Sequence, residues 1–197
     1  MRVILASKSP RRREILSMLG VKFEIVSADA DEHSEITDPA QLVRELALRK
    51  GRATRELLRA RGEWDDSTLI IASDTVVATG DEILGKPRDA ADAKRMLGKL
   101  SDTTHHVISG VALLWGEHEV ADFDRTGVRF AKMSEREIDW YVASGEPNDK
   151  AGAYAVQGLA SMFIKGLDGD YFNVVGLPVY KLNTLTRAYL SRNLNEL

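Results

Sequence analysis

The sequence predicts an α/β protein with a mixed central sheet and helices on both faces of that sheet. Patterns typical of apolar strands alternate with patterns typical of amphipathic helices along the whole chain, and at least five of them are strands. The composition does not shift abruptly anywhere in the 197 residues, so no position marks a domain boundary. We therefore expect a single domain spanning residues 1–197.

The first elements are a strand, a helix and a second strand. Residues 2–6 are largely apolar and predict a short strand. Ser9 followed by Pro10 is typical of a helix start, because proline is tolerated at the first helical position. Gly20 ends this helix, and the alternation over residues 21–25 predicts a half-buried strand. The buried stripe of the helix is predicted to consist of Ile15, Met18 and Leu19.

A long helix and a buried strand follow an acidic segment. Asp38 and Pro39 start the helix, and its apolar face also carries Lys50. The continuous apolar run Thr68–Ser73 predicts a strand buried on both faces, with Asp74 directly after it. The aliphatic residues predicted on the buried face of the helix are Leu42, Val43, Leu46, Ala47, Ala53 and Leu57.

The rest of the chain supplies a hairpin, two strands and three helices. The hairpin covers Val76–Leu84 and turns at Gly80 and Asp81. Ser134 and Glu137 form a capping box, in which each side chain satisfies a backbone N–H of the other residue. The other predicted elements are a helix capped by Asp89, strands at Val107–Trp115 and Val120–Ala131, and a helix from about Pro178 to Tyr189.

Composition and charge exclude several classes of protein. The chain has no cysteine, which excludes disulfides, thiolate zinc sites and thiol nucleophiles. Its 27 basic and 30 acidic side chains give a net charge of −3, whereas nucleic-acid binding generally requires a basic face. No apolar run approaches the roughly 20 residues that span a bilayer. We expect a cytoplasmic protein that binds neither nucleic acid nor membranes.

The segment between the first strand and the first helix favours a bound anion. Its sequence is Ser7-Lys8-Ser9-Pro10-Arg11-Arg12-Arg13. The free N–H groups and the dipole of a helix amino end attract negative charge, and guanidinium groups bind phosphate oxygens in pairs. Cations clustered at this end are unfavourable unless an anion is bound. The alternative is a capped helix with a solvated basic first turn.

Asp74 is the best single candidate for an acid. In open α/β sheets, ligands collect beyond the carboxyl ends of strands, which is where the sequence places Asp74. A carboxylate there can bind Mg²⁺ or Mn²⁺ or accept a proton from water, and the alternative is a turn aspartate. Together with Arg11 and Arg12, Lys50 and Lys86 provide the positive charge that a triphosphate requires, unless their ammonium groups simply extend to solvent.

Signals for other kinds of chemistry are weak. The four histidines do not have the spacing of a zinc motif, and the G-x-S-x-G motif of serine hydrolases does not occur. The acidic residues before the long helix are typical of a solvated loop. These residues are Asp29, Asp31, Glu32, Glu35 and Asp38.

Five short motifs occur in order along the chain. They are Ala6-Ser7-Lys8-Ser9-Pro10-Arg11-Arg12, Ser73-Asp74-Thr75-Val76-Val77, Gly85-Lys86-Pro87, Asp149-Lys150-Ala151-Gly152-Ala153-Tyr154 with Gln157-Gly158, and Asn173-Val174-Val175-Gly176-Leu177-Pro178. Together they resemble the Maf family of nucleoside triphosphate pyrophosphatases over nearly the whole chain. The resemblance implies a two-lobed α/β fold with a cleft between the lobes, related to the inosine triphosphate pyrophosphatases.

The resemblance also implies a reaction and its residues. Maf-like enzymes hydrolyse the bond between the α- and β-phosphates of a nucleoside triphosphate with the help of a divalent cation, here Mg²⁺ or Mn²⁺. By motif, Asp74 is the proton acceptor and, with Glu32, a ligand of the metal. The implied phosphate contacts are Ser7, Arg12, Lys50 and Lys86. The family resemblance further implies a homodimer.

Three positions at which branches of the family differ are Arg11, Thr75 and Gln157, and they resemble the branch acting on dTTP and UTP. The amide of Gln157 has a donor and an acceptor, which suits the carbonyl and imide edge of uracil or thymine. For Gln157, the alternative is a turn residue beside Gly158. For the whole chain, the alternatives are the sister branch specific for 7-methyl-GTP and a nucleotide-binding regulator of cell division or septum formation. The sequence departs from the family at Asp102, where glycine is usual, and at Gly51, where alanine is common.

Overall fold

The computed structural model describes residues 1–80 and 82–197 and confirms the α/β class with a mixed sheet. The strands are β1 (Arg2–Leu5), β2 (Glu24–Ile25), β3 (Thr68–Thr79), β4 (Glu82–Leu84), β5 (Thr104–Trp115), β6 (His118–Phe130) and β7 (Ile164–Asp168). Their order is β2-β1-β3-β5-β6-β7, and β4 pairs with β3 off this path. Strand β1 is parallel to β2 and β3, whereas β4 and β7 are antiparallel to β3 and β6.

The α-helices lie between and after these strands. They are α1 (Pro10–Met18), α2 (Pro39–Ala60), α3 (Ala90–Leu100), α4 (Glu135–Ala143), α5 (Tyr171–Val175) and α6 (Val179–Leu190). Short 3-10 helices occur at Glu146–Asp149, Ala151–Ala153, Leu159–Phe163 and Leu194–Glu196. Among the described residues, every helix is too short or too polar to cross a membrane.

The chain divides into two compact units. The first unit comprises Met1–Asp74, Ser109–Asp124 and Gly176–Leu197. The second unit comprises Thr75–Ile108 and Arg125–Val175. Three of the four boundaries fall inside the long strands β3, β5 and β6, so each of these strands contributes residues to both units, and the fourth directly follows α5.

The core of the first unit packs α2 against β1, β3 and β5. Asp38 caps α2 as predicted, because its carboxylate accepts the Gln41 N–H at 2.8 Å. The buried side chains of this core are Ile4, Ala6, Ala47, Leu58, Ile70, Ala72, Ala112 and Leu114. The predicted face of α2 is correct at Val43, Leu46 and Ala47, whereas Leu42, Ala53 and Leu57 are only half-buried.

Two predictions for the first elements are wrong. Met18 is 61% exposed, and Leu16 is buried beside Ile15 instead. Residues two positions apart in a helix point to opposite sides, so burial of Leu16 turns Met18 outward. The second predicted strand contains only Glu24–Ile25, and Ile25 is 47% exposed. Alternation therefore predicted the strand's existence but not its length or burial.

Strand β3 is longer than the buried run predicted from the sequence. It continues through Asp74 to Thr79, so Asp74 lies within the strand and not after it. The β-branched residues after Asp74 favour the extended backbone and continue the pairing. Val77 and Ala78 pair with β4, which confirms the predicted hairpin. Of the two predicted turn residues, Gly80 has a positive φ of 55°, and Asp81 is outside the described residues.

The second unit has a separate core under α3 and α4. Asp89 caps α3, and the capping box of Ser134 and Glu137 at the start of α4 is present as predicted. Gly145 ends α4 with a φ of 77°. The large buried side chains of this core include Phe130, Tyr141 and Tyr154. The predicted final helix is confirmed as α6 in the first unit.

Asp102, one of the two departures from the family pattern, has a left-handed backbone. Its φ is 57°, and its N–H donates to the Ala131 carbonyl at 3.1 Å. The left-handed conformation favours glycine, the residue that the family resemblance implies at this position. The Asp102 side chain pairs with Lys165 at 3.7 Å, but both groups are more than half exposed. Such surface pairs contribute little to stability.

Two glycines allow α2 and β5 to approach closely within the first unit. A Cβ atom on Gly110 of β5 would lie 2.2 Å from the Val43 carbonyl oxygen of α2. A Cβ atom on Gly51 of α2 would lie 2.3 Å from a terminal methyl of Leu114 in β5. Whether alanine fits at position 51 in place of Gly51 therefore depends on which residue occupies position 114.

We expect Asp102→Gly to stabilise the protein by up to about 1 kcal/mol, because the left-handed strain is relieved. Thermal unfolding should shift upward by roughly 2–4 °C per kcal/mol gained. Asp102→Asn is the control, because it removes the charge but keeps a residue that tolerates this backbone. A loss of stability in Asp102→Gly would show that the Lys165 pair outweighs the strain.

We expect Gly51→Ala to destabilise the wild-type protein but to stabilise a Leu114→Val variant. In the wild type, overpacking against Leu114 costs about 1–3 kcal/mol, which exceeds the gain in helix propensity of about 1 kcal/mol. In a Leu114→Val background the terminal methyl is absent, and the same substitution should be stabilising. Urea unfolding of the four proteins in this cycle measures the coupling, and additive effects would contradict the proposed contact.

Candidate functional site

The loop between β1 and α1 is held by a serine hydroxyl and an arginine. Ser9 precedes α1 but makes no side-chain cap; its N–H donates to the Ser7 hydroxyl at 3.2 Å. The guanidinium of Arg12 also donates to the Ser7 hydroxyl, at 3.2 Å. The loop is therefore ordered by contacts within its own sequence, and Ser7 is largely buried.

Arg12 fastens this loop to two other segments of the first unit. Its Nη1 donates to the Ser73 carbonyl at 2.7 Å, and its Nε donates to the Gly176 carbonyl at 2.7 Å. Burial lowers the pKa of the Arg12 guanidinium, while the Asp74 and Glu32 carboxylates oppose that shift. The neighbouring charge of Arg11 lowers the same pKa. Arg12 thus lies within electrostatic range of Arg11, Asp74 and Glu32.

Lys50 bridges the two candidate acids. Its ammonium group is 2.5 Å from Asp74 Oδ1 and 2.8 Å from Glu32 Oε1. The side chains of Lys50 and Asp74 are 20% and 11% exposed, whereas that of Glu32 is 61% exposed. The lysine on the apolar face of α2 is therefore paired in a half-buried position, and the three charges sum to −1.

Glu32 and Asp74 are the carboxylates that could hold a divalent cation. Both bind one ammonium group, so their oxygens face the same small volume. Among the described residues, no three His, Asp or Glu side chains are grouped so that they could hold a metal by themselves. Mg²⁺ commonly binds one or two carboxylates and takes its other ligands from phosphates and water. The two carboxylates fit an ion that binds together with a phosphate.

The structure brings together five of the predicted site residues in the first unit. They are Ser7, Arg12, Glu32, Lys50 and Asp74. Arg11 precedes Arg12 in α1, and its side chain is half-buried. Lys8, in contrast, pairs with the exposed Asp29 at 2.9 Å, as expected for a solvated surface pair.

The other three predicted residues belong to the second unit. Thr75 follows Asp74 in β3 and is half-buried. Lys86 is exposed in the loop after β4, where the carbonyl of Gly85 accepts the Gly152 N–H at 3.0 Å. Gln157 is exposed in a turn, in which the Gly158 N–H donates to the Ala155 carbonyl at 3.2 Å.

Two pairs of polar side chains in the second unit were not predicted from the sequence. His105 is fully buried, its Nε2 is 2.8 Å from the Tyr154 hydroxyl, and burial lowers its pKa to about 4. The imidazole is therefore neutral near pH 7. The second pair is Tyr141 and Glu146, whose hydroxyl and carboxylate are 2.7 Å apart. Glu146 stands in the segment Gly145-Glu146-Pro147, which in the sequence indicates only the end of α4.

The family model and the curated relatives agree on one family. The family model described as "Maf-like protein" matches residues 2–189. A dTTP/UTP pyrophosphatase of Symbiobacterium thermophilum is 47% identical over 180 residues, which cover 91% of this chain and 89% of the relative. A dTTP/UTP pyrophosphatase of Alkaliphilus oremlandii is 44% identical over 196 residues, with 98% of each chain covered.

A solved structure and a further relative complete the comparison. The Staphylococcus aureus Ham1 protein superposes with a TM-score of 0.47 at 13% identity, covering 66% of this chain and 72% of that chain. A dTTP/UTP pyrophosphatase of Bacillus cytotoxicus is 44% identical, with 91% of each chain covered. The family match over residues 2–189 and these identities show that the chain belongs to the Maf family.

Proposed function

We propose that this protein is a nucleoside triphosphate pyrophosphatase that hydrolyses dTTP and UTP to the monophosphate and pyrophosphate. One observation carries the proposal: the Lys50 ammonium joins Asp74 and Glu32 within electrostatic range of the Arg12 guanidinium. That arrangement supplies a proton acceptor, two oxygen ligands for a cation and two positive charges for phosphate oxygens. The names of the relatives, at 43–47% identity, support the same reaction and substrates.

In the proposed reaction, Asp74 accepts a proton from water while the water oxygen forms a bond to the α-phosphorus. The bond between the α-phosphorus and the oxygen bridging to the β-phosphate breaks, and pyrophosphate leaves with the electron pair. Such transfers are accelerated mainly by positioning and by stabilising oxygens that gain charge. Lys50 holds the Asp74 carboxylate in place, and Arg12 supplies positive charge. The reaction does not require a nucleophilic side chain.

A divalent cation, Mg²⁺ or Mn²⁺, is part of the proposal. Glu32 and Asp74 would hold it, since they are the carboxylates that share the Lys50 ammonium. When bound, the cation would neutralise negative charge on the phosphate oxygens. The ammonium of Lys50 would then be released from at least one carboxylate and could contact phosphate.

The substrate contacts follow the family motifs. We assign Ser7, Arg12, Lys50 and Lys86 to the phosphates. We assign Arg11, Thr75 and Gln157 to the features that distinguish dTTP and UTP from other nucleotides. The donor and acceptor of the exposed Gln157 amide support a role in reading the base.

The oligomeric state and the location rest on different arguments. The family resemblance supports a homodimer, and the length, composition and net charge support a single-domain cytoplasmic chain that binds neither nucleic acid nor membranes. Sedimentation of the purified protein at micromolar concentration tests the dimer, and a monomer at all concentrations would contradict it.

We expect the purified protein to release pyrophosphate from dTTP and UTP in preference to CTP, ATP and 7-methyl-GTP. The assay uses Mg²⁺ or Mn²⁺ and measures both pyrophosphate and monophosphate. A preference for 7-methyl-GTP would assign the chain to the sister branch. Tight binding of dTTP without product would favour the nucleotide-binding regulator of cell division.

We expect Asp74→Asn to lower turnover by about 10²–10⁴-fold, because the amide cannot accept the proton. Circular dichroism and nucleotide binding should be retained, since asparagine has nearly the same shape and Glu32 still pairs with the Lys50 ammonium. Asp29→Asn is a matched control, because that carboxylate is 97% exposed and pairs with Lys8 in a surface contact. Near-normal turnover in Asp74→Asn would discard the assignment of the proton acceptor.

We expect chelation with EDTA to abolish turnover and added Mg²⁺ or Mn²⁺ to restore it. Glu32→Gln should raise the metal concentration for half-maximal activity at least about tenfold, because one carboxylate ligand is lost. Glu35→Gln, a substitution of an exposed acid in the same segment, serves as the control. Equal metal requirements in the two variants would exclude Glu32 as a ligand.

A further inference from the structure

The turn that carries Gln157 is held at one end by Tyr141 and at the other by Glu146, and these two side chains also bond to each other. The turn comprises residues 155–158 and is closed by the bond from the Gly158 N–H to the Ala155 carbonyl. Gln157 is exposed, whereas Ala155 before it and Ala160 after it are buried. The turn and both fastening residues belong to the second unit.

Tyr141 fastens the entry of the turn. Its side chain is fully buried in α4, and its hydroxyl accepts the Ala155 N–H at 3.3 Å. The same hydroxyl donates to Glu146 Oε1 at 2.7 Å. A hydrogen bond to a carboxylate is stronger than one between neutral groups, so the hydroxyl is held in one orientation.

Glu146 fastens the exit of the turn. Its Oε2 accepts the Leu159 N–H at 3.0 Å. Its carboxylate also lies directly against Gly158, where a Cβ atom would be 2.2 Å from Oε2. The φ of Gly158 is −106°, which other residues also adopt, so glycine here allows the close approach of the Glu146 carboxylate and is not needed for the backbone conformation.

We propose that Glu146 and Tyr141 are positioning residues that determine base selectivity by holding the Gln157 turn in one conformation. The inference rests on the proposed role of Gln157 in reading the base. An exposed turn loses conformational entropy when it binds a ligand, and a turn held in advance loses less. An amide can recognise the donor and acceptor of one base edge only if its backbone is fixed. The stop signal after α4 needs the backbone of Gly145 and Pro147 but not the side chain of Glu146.

The test compares variants of Tyr141 and Glu146 with a variant of Gln157. In Tyr141→Phe and Glu146→Ala we expect the KM for dTTP to rise about tenfold with little change in kcat, because base contacts are equal in the ground and transition states. The preference for dTTP over ATP should fall by a similar factor, as in Gln157→Ala. The double variant Glu146→Ala/Gln157→Ala should lose no more selectivity than Gln157→Ala alone. Glu146→Gln, which keeps an acceptor for Leu159, should recover part of the loss.

A control and a second measurement separate positioning from general stability. Glu137→Ala removes the capping box of α4, so it should lower the melting temperature without changing base preference. Amide hydrogen exchange, which does not depend on turnover, should show loss of protection at Ala155 and Leu159 in Tyr141→Phe and Glu146→Ala. Unchanged protection at both amides would overturn the inference.

The outcomes distinguish this inference from the proposed function. If the wild type releases no pyrophosphate, the proposed function fails, while hydrogen exchange still decides whether the pair fastens the turn. If the wild type is active but Glu146→Ala keeps its preference for dTTP, the inference fails and the proposed function stands. Unchanged selectivity in Gln157→Ala would likewise overturn the inference.

Discussion

The pairing of one half-buried ammonium with two carboxylates is the interaction on which the first unit depends. Lys50 emerges from the buried face of α2, where an unpaired charge would be strongly destabilising. Asp74 in β3 and Glu32 in the loop before α2 provide its partners. The helix, the strand and the loop are thereby joined by charges as well as by the aliphatic core. The groups that stabilise this arrangement are also the groups to which the proposed hydrolysis assigns roles.

Much of this arrangement could be predicted from the sequence because local signals determine it. Asp38 and Pro39 set the start of α2, and the apolar periodicity then places Lys50 on its inner face. The end of β3 could not be predicted in the same way. The run Thr68–Ser73 indicates a buried strand, but β3 continues through Asp74 to Thr79, next to β5 and with Val77–Thr79 paired to β4. Strand length depends on partners, which are distant in sequence.

The same limit applies to the contacts around Arg12 and Gln157. The motif predicted a cation near a phosphate, but it gave no indication that Arg12 would donate to the carbonyls of Ser73 and Gly176. The sequence around Glu146 indicated only the end of a helix. Its contact with Leu159 and Gly158 depends on how the chain folds back after α4. Residues whose contacts are made by the fold and not by a motif show no characteristic spacing in the sequence. They are therefore the hardest to identify from a single sequence.

The glycine contacts between α2 and β5 have a consequence for how the protein tolerates change. Gly110 faces the backbone of Val43, and backbone atoms cannot give way as a flexible side chain can. The helix therefore lies close to the sheet, and Lys50, which adjoins Gly51, reaches its two acids from that position. A methyl group on Gly110 would push the helix away from β5 and carry the Lys50 ammonium away from its acids, whereas a methyl group on Gly51 would meet the end of the Leu114 side chain. Substitution of Gly110 is thus limited by the geometry of the Lys50 ion pairs as well as by folding.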